Sequence, residues 1–239
     1  MTTTTLSPLP APLARAPRAP RAVPRTGGLD EWMLTRLVAV VGSACAAVLL
    51  GYAVVALPNR LMLSEYVHVP GGLVPFVGGL LALAVAAAAV ARLVSHLGGL
   101  AALVLRAGAS AAVVAAAFPT DESRGPAMSL SAQIHRYAAL VVFVSLPLGG
   151  WLAVRGNAGL RWRLVRGVAG VSSVVVAATL LLHPGSPVAR VLGHPGWEGG
   201  VQRLMAASDV VLVALTALVA GSRRTGAVRA VGEHAACAA

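Results

Sequence analysis

Few residues of this chain have side chains suited to acid–base or metal chemistry, and most of them lie beside long apolar segments. Asp121 ends the segment Phe-Pro-Thr-Asp at residues 118–121, which closes one apolar run, and His135 precedes the next run. Carboxylate and imidazole are ligands that zinc and similar ions accept, and a bound metal can acidify water for hydrolysis. His183 follows a later run and is a candidate third member. The simpler interpretation is that His135 caps a helix or hydrogen-bonds Asp121.

Other polar side chains fall in segments that share one side of the membrane with Asp121 and His135 if the apolar runs cross it in turn. Glu65 lies in the first of these segments, and Arg203 lies just before the last run. The sequence therefore predicts a polar pocket that opens outward. Glu65, His183 and Arg203 are its candidate binding residues.

Two charged residues lie within apolar runs. Arg106 precedes the end of the third run at Ala117 by 11 residues, a depth of roughly 16 Å, and Asp209 lies roughly 9 Å beyond Arg203. A charge at the bilayer centre costs about 2.5 to 3.5 kcal/mol and usually faces a polar group or water. A salt bridge between Arg106 and Asp209 would nearly neutralise both, either to fix helix packing or as part of a proton or substrate pathway. Alternatively, Arg106 lies near the membrane surface.

The elements that must position these residues are six apolar runs. The chain has 239 residues, of which 57% are hydrophobic and 11% charged, and its mean hydropathy is +0.80. A transmembrane helix needs about 20 apolar residues, and open strands would leave backbone groups unpaired in lipid. We therefore predict an all-α polytopic bundle of six transmembrane helices, packed closely through Ala and Gly. The runs cover residues 34–57, 71–91, 97–117, 137–154, 164–182 and 204–221.

The distribution of Arg predicts the orientation of this bundle. All 19 basic side chains are Arg; 13 lie in one set of connecting segments and 4 in the opposite set. Short cytoplasmic loops carry the excess of positive charge. We therefore expect both termini in the cytoplasm. Exclusive use of Arg and the richness in Ala, Gly and Val suggest a bacterial plasma membrane.

Both ends of the chain lie outside the predicted transmembrane domain of residues 34–221. Residues 1–30 are rich in Pro and Arg without an apolar period and are predicted to be a disordered tail that contacts anionic lipid; residues 222–239 are a short flexible tail. The formal charge of +11 does not indicate nucleic-acid binding, because the basic residues lack interleaved aromatics. The sequence identifies no cofactor. Heme is disfavoured, because no two His lie at facing depths in the bilayer.

Four elements of the sequence together resemble a known family. They are Ser64-Glu65-Tyr66 after the first run, residues 118–121, the following His135, and Gln202-Arg203 before the last run. In this order they resemble the six-span bacterial membrane proteins grouped as domain-of-unknown-function family 998. The resemblance covers roughly residues 34–221. It implies a multi-helix membrane domain with Asp121 and His135 as the positions to test, and it implies no established reaction.

Three hypotheses about function follow. The first is a non-catalytic binding or permease-like scaffold with an outward-facing polar pocket. The second is a metal-dependent intramembrane hydrolase that uses Asp121 and His135. The third is a proton-coupled small-molecule carrier that uses Arg106 and Asp209.

Overall fold

The computed structural model describes residues 29–122 except 59 and 61, and residues 128–157, 159–181 and 198–220. All regular structure in these residues is helical, and six of the helices are long and apolar enough to cross a membrane. This confirms the predicted fold class. The elements are α1 (Leu29–Ala56), a short 3₁₀ helix (Leu63–His68), α2 (Leu73–Val94), α3 (Gly99–Ala117), α4 (Leu130–Val154), α5 (Leu160–Leu181) and α6 (Glu198–Ala220).

Four helices, α1, α4, α5 and α6, begin four to seven residues before the predicted apolar runs, and the difference is largest for α4 and α6. The predicted starts are residues 137 and 204, whereas α4 begins at Leu130 and α6 at Glu198. Hydropathy detects only the apolar part of a helix, so polar first turns escape it. One consequence concerns depth, because Asp209 lies 11 residues from either end of α6. It is therefore roughly 16 Å from each end, near the middle of the span and deeper than predicted.

Helix α6 occupies the centre of the bundle. It packs against α1, α2, α4 and α5, whereas α3 packs against α2 and α4. The start of α1 lies beside the ends of α2 and α6, since Glu31 pairs with Arg92 at 2.7 Å and Arg36 Nη2 lies 3.4 Å from the carbonyl oxygen of Leu218. We call this end of the bundle the terminal end. The other end, which carries the 3₁₀ helix, is the loop end.

Glycines bring neighbouring helices into close contact. A Cβ atom on Gly79 would lie 2.6 Å from the side chain of Leu50, and one on Gly149 would lie 2.6 Å from that of Leu105. Leu50 of α1 therefore fills the space that a side chain at Gly79 of α2 would occupy, and Leu105 of α3 does the same at Gly149 of α4. This is the role predicted for the small residues, since lipid supplies no hydrophobic force between helices.

The outer surface of the bundle is apolar at mid-helix positions. Val48 is 69% exposed and Leu103 is 62% exposed, although both lie within helices rather than in loops. Large apolar side chains that face outward in this way are suited to lipid and not to water. The six apolar helices thus make this a membrane protein in contact with a lipid bilayer.

Candidate functional site

The loop end is held together by a network that begins where α3 stops. Pro119 follows Phe118 and cannot continue the helix, so the last carbonyl groups of α3 lack partners within it. His135 of α4 is buried and supplies a partner: its Nδ1 lies 2.8 Å from the carbonyl oxygen of Ala115 and 2.9 Å from that of Phe118. Because both neighbours are acceptors, Nδ1 carries the hydrogen. His135 thus caps α3 from the adjacent helix.

Asp121 performs a second capping role, at the start of α4. Its Oδ2 accepts a hydrogen bond from the backbone N–H of Ser129 at 2.9 Å, and its Oδ1 accepts one from the hydroxyl of Ser129 at 2.5 Å. Ser129 is itself the N-cap of α4 and accepts the N–H of Ala132. The hydrogen bonds from the hydroxyl and then the N–H of Ser129 lower the pKa of Asp121, and the charge of His68 adds a smaller effect in the same direction.

The 3₁₀ helix is tied to α3 and α6 by further hydrogen bonds. His68 Nε2 donates to the carbonyl oxygen of Thr120 at 2.7 Å, and the hydroxyl of Thr120 donates to the carbonyl oxygen of Ser64 at 3.3 Å. The amide oxygen of Gln202 accepts the N–H of Leu63 at 2.7 Å. Loop and helix ends that are distant in sequence are therefore fixed to one another.

Two of the predicted binding residues, Glu65 and Arg203, belong to the same region. Glu65 Oε2 accepts the N–H of Met62 at 3.3 Å, within the first turn of the 3₁₀ helix, and Arg203 Nη2 donates to the carbonyl oxygen of Arg60. We call the whole set the loop-end network. Its members are Ser64, Glu65, His68, Thr120, Asp121, Ser129, His135, Gln202 and Arg203.

Asp121 and His135 share the network, but no hydrogen bond joins them. Each bonds to a different helix end, so of the two simpler interpretations of His135 the structure shows helix capping and not a hydrogen bond to Asp121. His135 Nε2 is the ring atom left for a ligand, yet within the described part of the chain no three His, Cys, Asp or Glu side chains form a group that could hold a metal ion. His183, the candidate third member, lies outside the described residues.

Asp209 forms a second polar site at the middle of the bundle. Its side chain is fully buried, and its Oδ1 accepts a hydrogen bond at 2.9 Å from the hydroxyl of Ser172 on α5. That hydroxyl lies 2.7 Å from the hydroxyl of Ser208. Oδ2 has no hydrogen-bond partner among the described residues. The site therefore joins α5 to α6 and leaves one buried oxygen unused.

The predicted salt bridge between Arg106 and Asp209 is not formed. Arg106 is exposed and lies on α3, which packs against α2 and α4 rather than α6. It lines a crevice of about 320 Å³ at the terminal end, together with Glu31 and Arg92. Arg106 can reach this crevice because its long side chain can extend toward the membrane surface while its Cα stays deeper. Arg106 and Asp209 lie at similar depths, but they are on helices that are not neighbours.

Sequence reasoning missed several partners. Ser129 had a weak signal: serine is a favoured N-cap, but it lies eight residues before the apolar run predicted from residue 137. Ser172 had a weaker signal: a buried acid requires a hydrogen-bond donor on a neighbouring helix, but the chain has many serines and the sequence does not say which one faces Asp209. The acceptors of His135 had no signal, because they are backbone carbonyls of another helix.

The fold and the two polar sites define an all-helical, multi-pass membrane protein whose loops and helix ends are joined by side chains at the loop end. The chain belongs to the family described as Protein of unknown function (DUF998), which it matches over residues 38–219. That stretch contains every member of the loop-end network. No curated protein and no solved structure matches the chain. The match to the family confirms the resemblance inferred from the sequence.

Proposed function

We propose that this protein is a non-catalytic binding or permease-like scaffold. The observation that supports this most directly is that the polar atoms of the loop-end network bond to helix ends and loops of the protein itself. His135 and Asp121, the two residues best suited to chemistry, hydrogen-bond to carbonyls of α3 and to the N-cap of α4. A general acid or base must instead have its reactive atom within reach of a substrate. In this proposal the network holds the loop end in one shape.

One buried polar group beneath the loop-end network, the hydroxyl of Tyr66, is a candidate point of contact for a ligand of this scaffold. The Tyr66 side chain is fully buried, and its hydroxyl has no hydrogen-bond partner among the described residues. A buried hydroxyl without a partner costs about 1 to 3 kcal/mol. A small polar ligand or an ordered water that bonds this hydroxyl would remove that cost, and Tyr66 therefore supports a binding role for the loop end.

The test of the scaffold proposal compares cleavage with stability. The purified chain is incubated with phospholipids and with N-acyl lipid amides, and assayed for products and for bound zinc, iron and manganese, beside His135→Gln and Asp121→Asn. Tyr137→Phe, an exposed change on the same helix, is the control. We expect no cleavage by any form, and a lower melting temperature in the two network variants. Cleavage by the wild type that both variants lose at an unchanged melting temperature contradicts the scaffold and supports the metal-dependent hydrolase.

A proton-coupled carrier is a second candidate, and one specific observation favours it. Asp209 is a fully buried carboxyl group at the middle of α6, with one oxygen unbonded among the described residues. Acidic residues at this depth are costly and commonly belong to proton or ion pathways. Arg106 has no part in this version of the hypothesis, since it lines the crevice at the terminal end and not the site of Asp209.

The carrier candidate predicts a specific loss in reconstituted liposomes. With a pH gradient across the membrane, Asp209→Asn should abolish coupled proton movement, because the amide keeps the shape and the hydrogen bond from Ser172 but cannot exchange a proton. Ser208→Ala, which leaves the carboxyl in place, serves as the control. Proton movement that is equal in the wild type and in Asp209→Asn removes this candidate.

We further propose that the terminal end faces the cytoplasm of a bacterial plasma membrane. The Arg distribution supports this. Exposed Arg side chains at the terminal end include Arg92, Arg155 and Arg161, whereas among the described residues the loop end has two, Arg60 and Arg136. Cytoplasmic loops carry such an excess. Residues 1–28 and 222–239 lie outside the described residues. From the sequence we propose that residues 1–30 form a tail whose arginines contact anionic lipid, and that residues 222–239 form a second, short tail.

A further inference from the structure

A groove runs along the outer face of α5. Its volume is about 560 Å³, and every described residue that lines it belongs to α5. The end of the groove near the start of α5 is lined by Arg163 and Arg166. Beyond them its lining is small or apolar, from Gly167 to Val175. The groove therefore has one positively charged end and one long apolar part.

The glycines of this groove differ from those at the helix contacts. A Cβ atom on Gly167 or Gly170 would meet nothing within 4 Å, whereas one on Gly149 would lie 2.6 Å from Leu105. Glycine within a helix is about 1 kcal/mol less favourable than alanine. Close packing between the described helices does not explain its use at these two positions. What the two glycines do is leave a hollow on the outer face of the bundle.

The length of the groove matches one leaflet of a bilayer. From Arg163 to Val175 the helix advances 12 residues, or roughly 18 Å. One leaflet contributes about half of a hydrocarbon core that is about 30 Å thick. An amphiphile with its headgroup at the arginines would thus lie with its chain beside the apolar part, at the depth it already has in the membrane.

The two arginines have no acidic partner among the described residues. Both side chains are exposed. Arg166 Nη2 lies 3.4 Å from the carbonyl oxygens of Val154 and Asn157, which is long for a hydrogen bond. Guanidinium groups bind phosphate with two parallel hydrogen bonds, and basic pockets beside transmembrane helices bind anionic headgroups.

We propose that this groove binds an anionic phospholipid of the leaflet at the terminal end, with its phosphate on Arg163 and Arg166 and one acyl chain along Gly167 and Gly170. A second copy of the chain fits less well. Two copies related by a two-fold axis along the membrane normal would bring the same arginines together, and like charges across a contact are unfavourable. This inference is independent of the loop-end network and of Asp209.

The test measures lipid binding by the full chain in a neutral detergent, by native mass spectrometry and by the shift in melting temperature. The probes are dioleoyl phosphatidylglycerol, dioleoyl phosphatidylcholine with the same acyl chains, and inorganic phosphate. The groove variant is Arg163→Gln with Arg166→Gln. The control is Arg155→Gln with Arg161→Gln, which removes two exposed charges near the same end but outside the groove.

We expect one tightly bound phosphatidylglycerol, and affinity about 30-fold lower in the groove variant, with the control pair near the wild type. Gly170→Leu, which fills the hollow and keeps both arginines, should also lose the bound lipid while the chain melts normally. Four results would each overturn the proposal: equal binding of the two lipids, equal loss in the control pair, a stabilising shift from inorganic phosphate as large as that from the lipid, or a change of oligomeric state in Gly170→Leu.

Discussion

Replacement of His135 by Ala should destabilise the folded chain by about 3 kcal/mol. The substitution removes the donor that serves the carbonyl oxygens of Ala115 and Phe118. Each buried acceptor left without a partner costs about 1 to 3 kcal/mol, and the lost ring leaves a cavity beside Phe76 that adds to this. The ring centroids of His135 and Phe76 are 6.2 Å apart, and Phe76 belongs to an apolar cluster with Leu50 and Tyr66, so the space left by the ring would adjoin apolar side chains.

The measurement is unfolding of the purified chain in detergent micelles, followed by circular dichroism. Tyr137→Ala is the control, because Tyr137 is two residues away on the same helix and 67% exposed. His135→Asn should recover part of the loss, since its amide can donate to one carbonyl. If His135→Ala were no more destabilising than Tyr137→Ala, the interhelical cap would have no energetic role.

The second large effect is expected from Gly72→Ala, which adds a single methyl group at the N-cap of α2. A Cβ atom there would lie 2.1 Å from the carbonyl oxygen of Tyr66, far inside van der Waals contact. Both backbones are held, because the N–H of Gly72 donates to the carbonyl oxygen of Val69 at 2.8 Å and that of Val69 donates to Tyr66 at 3.1 Å. We expect a loss of about 3 kcal/mol, at the upper end of overpacking costs.

Gly170→Ala is the matched control for this prediction. It adds the same methyl group within a helix where nothing lies within 4 Å, so it should leave stability unchanged or raise it by up to about 1 kcal/mol. Thermal melts of the two variants in one detergent make the comparison direct. Equal melting temperatures would mean that the 3₁₀ helix shifts freely and that the loop end is not held as described.

Both predictions test whether the loop end is held in one conformation. His135 acts by a hydrogen bond between α4 and α3, and Gly72 acts by the space it leaves for the backbone of the 3₁₀ helix. If both hold, the residues that carry the family resemblance at the loop end serve mainly to fix its shape. Function would then be sought in what that shape binds, at Tyr66, or in the separate sites at Asp209 and on α5.

Most of the fold followed from local properties of the sequence. The six spans were predictable because each needs about 20 apolar residues and must satisfy its own backbone in lipid, and the third span was placed within two residues of α3. Errors arose where a helix extends past its apolar part, as at Leu130 and Glu198. The side of the membrane shared by Asp121 and His135 also followed from counting spans.

The contacts of the polar residues were decided by tertiary structure alone. The sequence determined that Arg106 and Asp209 lie within membrane spans and that Asp121 and His135 lie at the same end of two consecutive helices. It did not determine that α6 occupies the centre while α3 packs against α2 and α4, which keeps Arg106 and Asp209 apart. Depth is set by position along one helix, whereas neighbours are set by how the faces of all six helices pack. Only that packing placed Ser172 beside Asp209 and the end of α3 beside His135.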